Sequence, residues 1–143
     1  MENIKLPQWI YHSYGVAEKM YQLALAAGKS ESVAKDMWLL GFLHDVGKRF
    51  GTQENHEVIG GMMLSNNNYE YYDIITRHGD TLDKNMPWEL KMLRTADLSV
   101  EPHGNDVGIK DRVEDIKKRY GSDSLKYSIT KEVADYIKGE HDD

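Results

Sequence analysis

Leu40-Gly41-Phe42-Leu43-His44-Asp45-Val46-Gly47-Lys48 is where an apolar run ends in a histidine, a carboxylate, a glycine and a lysine. The run extends backward at helical spacing, since Val33, Met37, Leu40 and His44 lie at steps of four, three and four, so His44 closes an inward stripe. Trp38, Leu39, Phe42 and Leu43 make this helix apolar on most sides, as expected for an element in the middle of a bundle. Ser30 or Ser32 is its expected cap, and Gly47 its stop after about Val46. Asp45 opposes the dipole of that helix end, so it calls for a cation or strong donors rather than water alone. Side by side, an imidazole and a carboxylate offer a borderline nitrogen and a hard oxygen, a mixture that divalent Fe, Mn, Co, Ni and Zn accept.

The other helices repeat the theme. A helix over 7–27, opened by Pro7 and stopped by Gly28, turns Val16, Met20, Leu23 and Ala27 inward, and His12 stands four residues before Val16. A core histidine bonded to a backbone carbonyl is the plain alternative there. Asn55 is positioned to cap a helix over 56–65, whose Gly60-Gly61 pair costs roughly 1 kcal/mol per glycine and so implies close packing. His56 lies in its first turn on the line of Gly60 and Met63; taken singly, it fits an exposed first-turn histidine better than a ligand. Asn66-Asn67-Asn68 is a turn, and the helix expected over 69–77, stopped by Gly79, puts Tyr71, Ile74 and His78 on one face. Pro87 opens a fifth helix through Leu98, with Leu90, Leu93 and Asp97 inward and Arg94 as the competing partner for that acid.

Ser99 and the residues up to Ile109 include Pro102, Gly104 and Gly108 and read as a long loop. Val113, Ile116 and Tyr120 define a sixth helix ending at Gly121, and Leu125, Ile129, Val133 and Tyr136 a seventh ending at Gly139. Lys117-Lys118-Arg119 fall at helical spacing from Asp111, Glu114 and Asp115 and read as a solvated face. No segment has strand periodicity. The expected architecture is an all-α, single-domain helical bundle of about seven helices over 1–143, with a core at 7–100 followed by C-terminal helices at 109–139.

Composition narrows the function classes. A net charge of -6 argues against non-specific nucleic-acid binding, while small phosphorylated compounds remain accessible because a bound cation reverses the local sign. With no cysteine, neither a disulfide framework nor a thiolate zinc site is available. Met1-Glu2-Asn3-Ile4-Lys5 lacks the form of a leader, and the apolar stretch 37–43 is far short of the about 20 residues of a membrane span, so the expected location is cytoplasmic. Trp9, Trp38 and Trp88 serve equally as core or as an interface between copies, which leaves an oligomer open.

Four of the six histidines, with Asp45 and Asp97, thus occupy inward or helix-terminal positions on five helices. In this the chain resembles the HD-domain superfamily of metal-dependent phosphohydrolases: an early helix histidine (His12), a His-Asp pair followed by a lysine (His44-Asp45-Val46-Gly47-Lys48), and a late helix acid (Arg94-Thr95-Ala96-Asp97). His56 and His78 stand where members with two metal ions carry extra histidines, as in the bacterial diadenosine tetraphosphate hydrolase group. The resemblance implies a divalent transition metal, one or two ions of Fe, Mn, Co, Ni or Zn, with His12, His44, Asp45 and Asp97 holding one and Asp45, His56 and His78 the second. It implies hydrolysis of a small phosphate ester or anhydride, a nucleotide for example, by activated water, with Lys48 and Arg77 as charge-stabilising residues. The Gly-Tyr-Pro signature of the cyclic-dinucleotide phosphodiesterases is absent, and Glu101-Pro102-His103 stands where the tetraphosphate group usually has an arginine. A di-iron oxygenase on the same fold, or a binding module that keeps a metal for stability, are the alternative readings.

Overall fold

Proline and glycine set several of the helix limits. The computed structural model describes residues 6–52 and 54–141, so residues 1–5, read above for a leader, lie outside the described residues. Among these it has seven α-helices: α1 (Gln8–Ala26), α2 (Glu31–Leu43), α3 (His56–Asn66), α4 (Tyr72–Arg77), α5 (Trp88–Asp97), α6 (Ile109–Tyr120) and α7 (Leu125–His141). Pro7 and Pro87 have ψ of 146° and 154°, so each stands just before its helix as the cap residue rather than inside the first turn. Ser30, not Ser32, caps α2, its Oγ accepting the Val33 N–H at 3.2 Å. The all-α bundle read from periodicity is the observed architecture.

Several helix ends and caps differ from expectation. α2 ends at Leu43, three residues early, and Val46–Arg49 forms a 3-10 turn. Gly47 does not reverse the chain; a Cβ there would collide with the His56 carbonyl and the Gly60 N–H, so this glycine lets the turn lie against α3. Asn55 does not cap α3, because its Oδ1 accepts instead from the Thr52 N–H at 2.6 Å and the Thr52 hydroxyl at 3.0 Å. α4 begins at Tyr72 rather than residue 69, and α7 runs through Gly139 to His141.

Two apolar clusters organise the helices. The larger joins Val16 and Met20 of α1, Met37 and Leu40 of α2, Ile74 and Ile75 of α4, and Leu90 and Leu93 of α5. The smaller joins Leu98 to Val113 and Ile116 of α6 and Val133, Ala134 and Ile137 of α7. Gly60 and Gly61 bear out the close packing read from them: a Cβ on Gly60 would press on Gly47, and one on Gly61 on Thr76 and Tyr72 of α4. No helix among the described residues is long and apolar enough to cross a membrane.

The segment after α5 is ordered by backbone pairing. Val100 and Asp106 form an antiparallel bridge, and the turn between them brings Gly104, at φ +92°, against the backbone of Tyr11 and Gly15 on α1. Only glycine fits on both sides of that approach. Gly15→Ala would drive a methyl group into the Gly104 carbonyl, so chemical denaturation should show a loss of roughly 1–3 kcal/mol, the usual cost of overpacking. An unchanged midpoint would mean that the loop is not held by this contact.

Candidate metal centre

Each of the six candidate donors sits at a helix end or on an inward helix face. His12 is on α1; His44 and Asp45 follow the last residue of α2; His56 is the first residue of α3; His78 follows α4; Asp97 ends α5. The fold buries His12, His44, Asp45, His56 and His78 and leaves Asp97 half-buried. The structure brings all six together.

Asp45 divides the imidazoles into two sets. Its Oδ1 lies 3.1 Å from Nε2 of His56 and 3.2 Å from Nε2 of His78. Its Oδ2 lies 3.3 Å from Nε2 of His44 and 3.9 Å from Nε2 of His12. Asp97 closes the second set, with Oδ1 2.7 Å from Nε2 of His12 and 3.4 Å from Nε2 of His44. Within each of the trios His12, His44, Asp97 and His44, Asp45, His78, one ligand atom per residue lies within 4.8 Å of the others. A third trio adds Glu57 to His56 and His78, a carboxylate that sequence reading missed because an acid in a first helical turn is already accounted for by the dipole.

The rings are held from behind. Nδ1 of His44 donates to the Gly41 carbonyl at 2.6 Å, Nδ1 of His78 to the Ile75 carbonyl at 2.5 Å, and Nδ1 of His12 to the Glu101 carbonyl at 3.3 Å. Such bonds fix the tautomer and present Nε2 to the centre, as metal-binding imidazoles are usually prepared. Nε2 of His44 is buried and makes no hydrogen bond, although oxygens of Asp45 and Asp97 lie close; it is aimed into the space between them. Nitrogen and oxygen donors converging on one buried point, with no sulfur, fit a divalent transition ion.

Electrostatics leads to the same conclusion. Burial works against charge on the His44 ring, but the negative charge of Asp45 and Asp97 outweighs it and pushes the ring up to about 10. Burial also resists charge on Asp45, yet the charge of His44 and hydrogen bonds from His56 and His78 hold it well below the usual carboxylate range. Asp97 is likewise held low against burial, through His44 and His12. The two acids therefore draw positive charge to the point their imidazoles surround.

Lys48 reaches the same place, with Nζ 3.2 Å from Oδ2 of Asp45. It lines a cleft of about 350 Å³ that opens onto the cluster and is also bounded by Arg112, Arg119 and Tyr120 of α6 and by Lys126 of α7. Of these, Arg119 belongs to the run Lys117-Lys118-Arg119 read as a solvated face. Arg112 and Arg119 do pair with Asp115, at 3.3 and 3.0 Å, but helical spacing gives no sign that the same side chains border a cleft. Arg77 is not brought to the cluster: Asp83 holds it at 2.9 Å and Asp73 at 3.7 Å, and it lines a separate cavity. Nor does Arg94 form a salt bridge with Asp97, whose partners are His12 and His44.

A raised histidine favours the folded state fully below its unfolded value of 6.5 and loses that contribution as pH rises through about 10. The depressed acids contribute above their unfolded value of 3.8 and lose it as pH falls below. A cation at the cluster must displace the proton of His44, so its binding releases protons. The rise in Tm on adding Mn²⁺ or Co²⁺ should therefore grow from roughly pH 6 to pH 8 in thermal scans at matched ion concentration. A rise independent of pH would place the ion away from His44.

Neither a curated protein nor a solved structure gives a match to the sequence. A family model does, for the HD domain, over residues 9–140, a span that takes in every donor from His12 to Asp97 and the helices that border the cleft. The fold, the His44-Asp45 pair at its centre and that match agree: the chain belongs to the HD domain family, whose members bind divalent metals.

Proposed function

We propose that this protein is a metal-dependent phosphohydrolase, cleaving a phosphate ester or anhydride bond of a small phosphorylated compound such as a nucleotide. One observation carries the reading: Asp45 turns one oxygen to His56 and His78 and the other to His44, His12 and Lys48. Membership of a family of generally metal-dependent hydrolases supports it. In this reading His12, His44, Asp45 and Asp97 would hold one ion, and Asp45, His56 and His78 a second, with Glu57 beside the second set. When bound, such ions lower the pKa of a water toward neutrality and neutralise phosphate oxygens.

The chain's own residues supply the rest. Backbone carbonyls behind His12, His44 and His78 keep each Nε2 aimed, so the donors need not reorganise. Among the described residues the cleft lining has no serine, threonine or cysteine, which favours water over a side chain as the nucleophile. Lys48 stabilises negative charge growing on the phosphoryl oxygens; Arg77, tied to Asp83, is not assigned that task. The pattern of six donors, similar to that of the diadenosine tetraphosphate hydrolase group, favours an anhydride of a nucleotide.

Protein loaded in turn with Mn, Fe, Co and Ni and assayed against phosphomonoesters, diesters and dinucleoside polyphosphates should turn over at least one class. Silence across all four metals, or oxygen uptake by the iron form with an organic substrate, would overturn the reading.

Asp45→Ala should abolish stoichiometric metal in elemental analysis and lower activity by more than about 100-fold, since even groups that merely orient ligands are typically worth about 10- to 100-fold. Lys48→Ala should lower kcat by roughly 100-fold, as removal of a single charge-stabilising donor does, while sparing metal content. Parallel loss of metal in the lysine variant would assign Lys48 a structural part instead.

A further inference from the structure

A groove of about 580 Å³ runs outward from His78, Gly79 and Asp97 between α5, α6 and α7. It shares Arg112, Tyr120 and Lys126 with the cleft over the cluster, so the two spaces are continuous. The proposed chemistry uses only the inner end. The outer part has a different character, with Leu98, Ile116 and Ile129 as an apolar floor and Arg94, Arg112 and Lys126 along the walls.

Two of those cations lack adequate partners. Arg94 is only 6% exposed, yet its guanidinium makes no hydrogen bond or salt bridge among the described residues. Burial lowers its affinity for its proton, opposed by the charges of Asp97, Asp80 and Glu57, but none of these is in contact with it. Arg112 places its Nε in the interior without a hydrogen-bond partner, and only Nη1 meets an acid, Asp115, at 3.3 Å. Lys126 lies over the Tyr120 ring at 5.3 Å rather than against a carboxylate. A chain with net charge -6 has an excess of acids to spend on its cations. Arg94 thus turns a guanidinium with no acid against it into the groove, and Arg112 a buried N–H with no partner, and an anion from outside would answer both.

Guanidinium groups match the planar or tetrahedral oxygens of carboxylate and phosphate, often through paired hydrogen bonds. The combined space is larger than one phosphate needs and is of the size that holds a whole small ligand. We propose that the outer groove is a second anion subsite, in which Arg94, Arg112 and Lys126 hold a phosphate or carboxylate at the far end of a substrate whose reacting phosphate lies at the cluster. An apolar or weakly polar body between the two anions crosses Leu98, Ile116 and Ile129. The substrate class is thus a small molecule with two separated anionic groups. This assignment rests on the hydrolase reading for its inner end and on Arg94 and Arg112 for its outer end.

The test compares linear alkanediol monophosphates with the corresponding bisphosphates, in chains of about three to eight carbons, on metal-loaded protein. The bisphosphates should be favoured in kcat/KM by about 10-fold or more at an optimal length, the gain typical of a charge-assisted contact, and Arg112→Gln should lower that ratio about 10-fold. Lys126→Met, on an exposed side chain, should lower it in the same direction and provides the comparison if Arg112→Gln fails to fold. A ratio near one at every length, or a ratio unaltered in both variants, overturns the proposal. Calorimetric binding of alkane bisphosphonates against monophosphonates separates the two readings. Tighter bisphosphonate binding, weakened by Arg112→Gln, with no hydrolysis of any ester would sustain the subsite and remove the hydrolase. Hydrolysis of monophosphates with equal binding of both phosphonates would do the reverse.

Discussion

Two carboxylates, Asp45 and Asp97, are set among imidazoles where the ends of four helices meet the face of a fifth, and negative charge at such a point has to be answered. Much of the surrounding architecture serves that requirement. α1 and α2 pack through Val16, Met20, Met37 and Leu40, which lines up His12 and His44 on adjoining faces. α3 comes close enough to offer His56 because Gly47 and Gly60 let backbone meet backbone. Ile74 and Ile75 of α4 are buried in the same apolar cluster, and their burial fixes where His78 projects. The apolar core and the polar centre are thus two sides of one set of helix contacts.

The candidate donors were legible in the sequence because four of them, His12, His44, His78 and Asp97, extend apolar stripes. A period of 3.6 residues tells which residues share a face, and a lone imidazole or carboxylate on an inward face stands out against it. Nothing comparable marks Arg112 and Arg119. They sit at helical spacing from Asp115, and those pairs do form, so the local pattern is satisfied without reference to the neighbouring helix. Glu57 is hidden in the same way by its place in a first turn. Arg77 differs: it entered only through the resemblance, and nothing in the helical pattern tells of Asp83, six residues on in a loop, which captures it.

Boundaries were less legible than faces. The apolar run through Leu43 gave no sign that the helix would stop before His44, and the reason is tertiary, since the 3-10 turn that follows is shaped by its contact with α3. Gly139 illustrates the converse, a residue that disfavours helix but does not end one when the chain on both sides is helical. The segment after Asp97 reads only as a loop, yet it folds back through the Val100–Asp106 bridge and supplies the carbonyl that holds His12. Its backbone pairing is packed against Gly15, a glycine on a helix far back in the chain.

The anchoring of three imidazoles by backbone carbonyls has a thermodynamic consequence. Freezing a side chain has an entropic penalty whenever it occurs, and here it is incurred as the chain folds, before any ion arrives. Capture of a cation then proceeds into a rigid frame, with desolvation and proton release rather than conformational ordering as its main expenses. With a metal bound, the same stiffness would disfavour ions whose preferred bond lengths differ, so discrimination among metals would fall in part to the backbone that stands behind the ligands.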